Sequence, residues 1–260
     1  MTGYWIPHSS SVDFCEPDYI LTKFVAEPFN AASSLYIAII GFIGYFYSNP
    51  TKEWPFSFLF LLVTFVGLGS VALHTTLHWF PQSLDEIPML WFDLACLLCL
   101  CRIHGPKGAY KLDHVSVFFV FITVVVTYIY YSMRSWYASF LTMYSIATTI
   151  VITWNTVLVW SSPRDTLILK VWCVSLFTYL FVGAVIWVID MNMCEVLLPY
   201  YNLTYGMTFH ILWHVTAGFG AYVGVIQLIL LRARALDCPV HIDWVLFTPV
   251  VRASKNNHSD

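Results

Sequence analysis

The stretch Gly69-Ser70-Val71-Ala72-Leu73-His74-Thr75-Thr76-Leu77-His78 closes a long apolar run that begins near residue 56, and the polar turn Ser83-Leu84-Asp85-Glu86 follows it. A run of that length crosses a bilayer as a helix, because within hydrocarbon a helix satisfies its own backbone polar groups. Ionisable groups at the end of such a run are costly unless they are paired or used. Ser70 and His74 are four residues apart and share a helical face. Working outward, a second ionisable pair stands at His210-Ile211-Leu212-Trp213-His214, again at i and i+4. With His74 these two offer three nitrogens, the set that holds one zinc ion and leaves a fourth position open for water. Asp85 is then the candidate proton acceptor for that water, with Ser70 aimed at the same point. Against this stands the plainer reading of each histidine as a helix-packing residue bonded to a neighbouring backbone. His78, near the water interface, is read as structural.

Composition sets the class. Of 260 residues 59% are hydrophobic and 10% charged, and the mean hydropathy is +0.71, so the apolar runs are too numerous for one soluble core. The expected fold is an all-α membrane protein, a seven-transmembrane helix bundle with a short polar N-terminal segment over 1–29. Spans are expected at about 31–48, 56–79, 86–102, 115–132, 138–160, 169–189 and 205–231. The chain reads as a single domain over 1–232 with a C-terminal tail over 233–260. The net charge of -3 is small and no basic patch points to nucleic acid. No cleavable signal peptide is expected, since the first thirty residues are polar and acidic.

Seven spans place ten of the twelve basic residues on one side: Lys52, Arg102, Lys107, Lys111, Arg164, Lys170, Arg232, Arg234, Arg252 and Lys255. Lys23 and Arg134 fall on the other. That asymmetry predicts a lumenal or extracellular N-terminus and a cytosolic C-terminus. It also brings His74, Asp85, His210 and His214 to one leaflet, a coincidence that unrelated histidines need not share. On this topology Cys15 and Cys194 are the two lumenal cysteines, where disulfides persist, and they are paired. Cys96, Cys99, Cys101 and Cys173 read as packing residues inside the membrane, and Cys238 as a reduced cytosolic thiol. Asn202-Leu203-Thr204 is a glycosylation sequon, set too close to the last span for ready modification. The acidic residues Asp13, Glu16, Asp18 and Glu27 are either a solvated face or a set of hard oxygens for calcium, to which a carbonyl such as that of Phe14 could add.

Taken together these residues resemble the alkaline ceramidase family, seven-helix membrane zinc hydrolases of the superfamily that includes the adiponectin receptors. The resemblance is carried by Ser11-Val12-Asp13-Phe14-Cys15-Glu16, Ala26-Glu27-Pro28-Phe29-Asn30, Gly69-Ser70 with His74, Leu84-Asp85-Glu86, and His210 with His214. It implies zinc on His74, His210 and His214, with Ser70 assisting the attacking water or the developing oxyanion and Asp85 accepting a proton. It further implies a structural calcium on Asp13, the Phe14 carbonyl, Glu16, Asp18 and Glu27, and a Cys15–Cys194 bridge. The implied reaction is hydrolysis of ceramide to a sphingoid base and a free fatty acid. Ceramide would arrive from the bilayer between helices, in an endoplasmic reticulum or Golgi membrane. Three departures stand out: Phe14 where tryptophan is common, Asp18 where asparagine is usual, and Ser83 where an apolar residue is typical.

The rival from another class is a non-enzymatic seven-helix receptor. Leu100-Cys101-Arg102 stands where such a receptor carries an acidic-Arg-aromatic triplet, and no lysine lies near the middle of the last span to hold a retinal. An adiponectin-receptor-like protein shares the metal but has the opposite orientation, against the basic-residue distribution. A GPI-lipid-remodelling relative cleaves an ester, and the acidic Cys15-containing segment argues against it.

Overall fold

The computed structural model describes residues 2–108, 113–161 and 165–254, apart from the side chain of Asn202. Lys111, Arg164 and Lys255 of the basic-residue count therefore lie outside the described residues. The helices are α1 (Pro28–Tyr47), α2 (Trp54–Thr76), α3 (Trp79–Cys101), α4 (His114–Ser132) and α5 (Tyr137–Ser161). They continue with α6 (Thr166–Asn192), whose middle, Phe177–Ala184, is π-wound, then α7 (Cys194–Leu203) and α8 (His210–Ala235). An antiparallel hairpin of β1 (Val240–Val245) and β2 (Thr248–Ala253) ends the described chain.

The helix starts follow from local chemistry. Proline occupies the first turn of α1 and of α2, where its missing N–H costs nothing. The carboxylate of Asp113 accepts from the amides of Val115 and Ser116, and that of Asp165 from Leu167 and Ile168, which caps α4 and α6. Among the described residues six helices, α1, α2, α4, α5, α6 and α8, are long and apolar enough to cross a membrane. The protein is a multi-pass membrane protein. α3, with 23 residues, is long enough but carries Asp85, Glu86 and Asp93.

The expected turn at Ser83–Glu86 is a correction: those residues are helical, and α3 begins at Trp79 rather than near residue 86. The chain instead reverses at Leu77, which takes a left-handed conformation with φ 50°. The polar side chains of this first part of α3 can be helical because each finds a partner. Gln82 pairs with Ser11 through two hydrogen bonds of 2.8 Å and donates to Glu86 at 2.8 Å, while the Tyr130 hydroxyl donates to the other Glu86 oxygen at 2.7 Å. The last helix also starts later than expected, at His210, because the chain turns at Tyr205 and Gly206 with positive φ. The stretch between Cys194 and Leu203, read as a loop, is helical.

α8 is the axis of the bundle and is buried along most of its length, packed on α1, α2 and α6. α4 and α5 lie at the rim, with Phe118, Phe121, Val124 and Trp160 exposed, as lipid-facing residues should be. α2 and α3 approach closely at Gly69, where an added Cβ would lie 2.1 Å from the Leu84 carbonyl oxygen; only glycine lets Ser70 and Asp85 come together. At the other end Arg232, fully buried, donates to both Glu53 oxygens at 2.6 Å and to the carbonyls of Ile103 and Pro106 at 3.0 Å. It satisfies backbone acceptors just beyond α3 as well as its own charge. The stretch read as a tail is part of this end: Val250 and Val251 are buried, and the Tyr222 hydroxyl donates to the Pro249 carbonyl at 2.7 Å.

Candidate active site

The N-terminal segment, the α2–α3 junction and the start of α8 meet at one end of the bundle. There the amides of Ala26 and Glu27 donate to the carbonyls of Thr75 and His74. His74 comes from the last turns of α2, and His210 and His214 from the first turns of α8, so all three rings are buried together. One ring nitrogen from each lies within 4.8 Å of the others, and the ring centroids are 4.5–5.3 Å apart.

Two of the rings are held from behind by hydrogen bonds to Nδ1, and the third faces a carboxylate there. The Nδ1 of His74 meets Glu27 Oε2 at 2.5 Å, and that of His214 meets Ser33 Oγ at 2.7 Å and Ser34 Oγ at 3.3 Å. The Nδ1 of His210 faces Asp190 Oδ2 at 3.8 Å, and neither of these two buried atoms has a hydrogen-bond partner. Asp190 is fixed in turn by the Tyr201 hydroxyl at 2.7 Å. With Nδ1 turned outward, Nε2 is the nitrogen each ring offers to its neighbours, and carboxylate or hydroxyl support of that kind is how metal-binding imidazoles are oriented.

Ser70 and Asp85 stand beside the histidines. The Ser34 hydroxyl donates to Ser70 Oγ at 2.9 Å, and Ser70 stands beside the Asp85 carboxylate. Both line a cavity of about 510 Å³ that also reaches His210 and His214 and runs down between α3, α5, α6 and α8 over largely apolar walls. The structure thus brings together a carboxylate, a hydroxyl and three imidazoles at the head of a lipid-sized hollow.

The acidic residues divide. Asp13, Asp18 and Glu27 bring one carboxylate oxygen each within 4.8 Å of the others, and Glu27 Oε1 is buried without a hydrogen-bond partner. Glu16 is engaged elsewhere: its two oxygens accept from the amides of Phe29 and Asn30 at 2.8 and 2.7 Å, capping α1. Burial pushes the Glu16 carboxyl up to about 8, against the opposing pull of those two amides; burial also raises that of Asp18, against the pull of His8. Cys15 and Cys194 are joined, as expected, and tie this segment over the site.

A ceramidase family model matches residues 6–252. The chain belongs to the ceramidase family. It is a hydrolase of that family, similar to alkaline ceramidase 3 of Mus musculus, with 28% identity over 86% of this chain and 84% of the mouse protein. An alkaline ceramidase of Arabidopsis thaliana is 24% identical over 90% of this chain and 88% of its own length. A third, from Drosophila melanogaster, is 31% identical over 40% of this chain and 36% of its own.

In this member of the family several contacts of the site, and some of its residues, escape a reading of the sequence. Phe14, a candidate through its carbonyl alone, has its ring 4.7 Å from that of His74 and 4.4 Å from that of His210, between centroids. Glu27 joins the two clusters, supporting His74 with one oxygen while standing with Asp13 and Asp18. Asp190 could have been flagged as a carboxylate inside a span, the kind of group that membranes rarely tolerate without a use. Ser33 and Ser34 carry no signal of their own.

Proposed function

We propose that the protein is a zinc-dependent intramembrane amidase that hydrolyses ceramide to a sphingoid base and a free fatty acid. The observation that carries this reading is the convergence of three buried imidazoles, two of them hydrogen-bonded through Nδ1 and the third facing Asp190, with Ser70 and Asp85 at the head of an apolar cavity. The names of the alkaline ceramidases it resembles supply the substrate class. Three neutral nitrogen donors, each with a carboxylate or hydroxyl facing its outer nitrogen, fit zinc. When bound, the ion supplies Lewis acidity toward the amide carbonyl and lowers the pKa of water.

The rest falls to the chain's own side chains. His74, His210 and His214 hold the ion, while Glu27, Ser33 with Ser34, and Asp190 fix the three rings. Asp85 takes a proton from water as the water oxygen adds to the amide carbonyl carbon. It returns that proton to the sphingoid nitrogen as the carbon–nitrogen bond breaks. Ser70 orients the Asp85 carboxylate and offers its hydroxyl to the oxygen on which negative charge develops. The apolar walls receive the hydrocarbon chains of ceramide, which arrives from the bilayer between helices.

α3 is read as the seventh span, supported by its length and by its packing on α2, α4 and α5. Its acidic groups turn to the cavity or to Tyr130 rather than to lipid. The N-terminus is then lumenal or extracellular and the C-terminus cytosolic. A disulfide on the site side suits an oxidising compartment, an endoplasmic reticulum or Golgi membrane. Purified full-length protein is expected to carry about one zinc per chain and to release sphingosine and a fatty acid from ceramide, read by mass spectrometry. Cleavage of lipid esters but not of ceramide would replace this reading with that of a lipid esterase.

Calcium on Asp13, Asp18 and Glu27 is the second part of the reading, with the Phe14 carbonyl and the remaining lone pairs of Glu16 completing the set. The unpartnered Glu27 Oε1 supports it. The pH dependence follows from Glu16. Its folded carboxyl titrates near 8 against an ordinary 4.5, so the folded state binds the extra proton. Stability from this group is full below about 4.5 and is lost as the pH rises through about 8. Calcium offsets the emerging charge. The melting temperature of chelator-treated protein is expected to fall between these pH values, and added calcium is expected to remove the fall in wild type but not in an Asp13→Ala, Asp18→Ala double variant. Equal responses of the two proteins would dismiss the site.

A further inference from the structure

Below the reacting groups the cavity wall carries polar side chains that the hydrolysis does not use. Asp93 on α3 is buried, at 4% exposure, and lines the cavity. Among the described residues no Lys, Arg or His lies within ion-pair distance of it. The Thr148 hydroxyl on α5 donates to Asp93 Oδ2 at 2.7 Å. The phenols of Tyr144 and Tyr179, hydrogen-bonded to one another, line the same cavity as Thr148. Further along, Asn155 donates to Gln227 Oε1 at 2.8 Å, yet Asn155 Oδ1 and Gln227 Nε2 are buried without partners, and Asn155 lines the same cavity. A surface that met only hydrocarbon would gain nothing from a carboxyl, three hydroxyls and an amide with open valences. In a membrane each is expensive to keep.

The depth of Asp93 says what it would meet. It lies eight residues beyond Asp85, so about 12 Å further along the helix axis. An extended chain advances about 1.2 Å per bond, so a lipid whose carbonyl sits level with Asp85 passes Asp93 about ten bonds on. We propose that Asp93 with Thr148 is a specificity-determining site that binds a hydroxyl on the hydrocarbon chain of the substrate, about ten carbons from the scissile amide. The hydroxyl donates to the carboxyl, which Thr148 holds in place, and accepts from whichever of the Tyr144 and Tyr179 phenols is not donating to the other. The cavity therefore favours lipid amides with a hydroxylated chain over otherwise identical plain ones. This inference rests on the amidase reading above.

The test is a competition between two ceramides with the same sphingoid base. One carries a plain octadecanoyl chain and the other the same chain with a hydroxyl about ten carbons from the carbonyl. Both are presented in one vesicle preparation to the full-length zinc-loaded protein, and the released acids are quantified by mass spectrometry. Wild type is expected to favour the hydroxylated substrate in kcat/KM by several-fold to about tenfold, the worth of one buried hydrogen bond. In Asp93→Leu the ratio falls to near unity. Thr148→Val, which keeps the carboxyl, gives an intermediate ratio and serves if the first variant does not fold. Because the ratio is read within each protein, partial unfolding does not move it. A ratio near unity in wild type, or one unchanged in both variants, overturns the inference while leaving the amidase reading intact. If wild type hydrolyses neither ceramide, the amidase reading fails and takes this inference with it.

Discussion

Replacing His214 by alanine is expected to lower ceramide hydrolysis by at least about a thousandfold and to leave the purified protein with almost no zinc. The loss is large because the site has no spare donor: His74 and His210 alone are two nitrogens in a buried pocket, and the ion would need ligands from water in a cavity lined mainly by apolar groups. The change also takes from Ser33 and Ser34 the ring nitrogen they face, leaving them the Asn30 carbonyl, so size-exclusion behaviour in detergent must be matched to wild type before activity is compared. Glu27→Gln gives the graded control. It keeps the shape of the partner of His74 but removes its charge, and such supporting groups are worth roughly ten- to a hundredfold in metal affinity or activity. A His214→Ala protein that bound zinc normally and hydrolysed ceramide at the wild-type rate would remove His214 from the ligand set and overturn the three-histidine site.

How much of this was legible in the sequence depended on whether a residue announced itself by its own cost. His74, His210 and His214 stand inside or beside apolar runs, so each poses a question, and helical periodicity already puts two of them on one face. The Cys15–Cys194 bridge follows from the alternation of spans, which also gave most helix boundaries to within a few residues. The errors lie where tertiary partners overrode local composition. Ser83, Asp85 and Glu86 look like a turn in isolation, and they are helical because Ser11 and Tyr130 arrive from distant segments to meet Gln82 and Glu86. The hairpin near the C-terminus is short, and its hydrophobic alternation over Val240–Val245 is too brief to stand out against long apolar helices. Phe14 and Glu27 could be placed as candidate cation ligands, but their second contacts, ring against ring and carboxylate against imidazole, depend on the fold of the N-terminal segment over α2.

Asp85→Asn separates proton transfer from everything else in the site. The amide is isosteric with the carboxylate, so the close approach of α2 to α3 at Gly69 need not change. It offers no carboxylate to take the proton of water or return it to the leaving nitrogen. The expected result is a loss in kcat on the order of a hundred to ten thousandfold, with KM for ceramide and zinc content close to wild type. Retention of zinc distinguishes it from the His214 variant, and the split between kcat and KM distinguishes a missing base from a damaged cavity. Ser70→Ala keeps the carboxylate and removes one hydroxyl, so its deficit should be smaller unless Ser70 supplies the dominant stabilisation of the developing oxyanion. Activity in Asp85→Asn at the wild-type level would mean that the carboxylate only positions Ser70, and the proton would then have to be taken by a group other than Asp85.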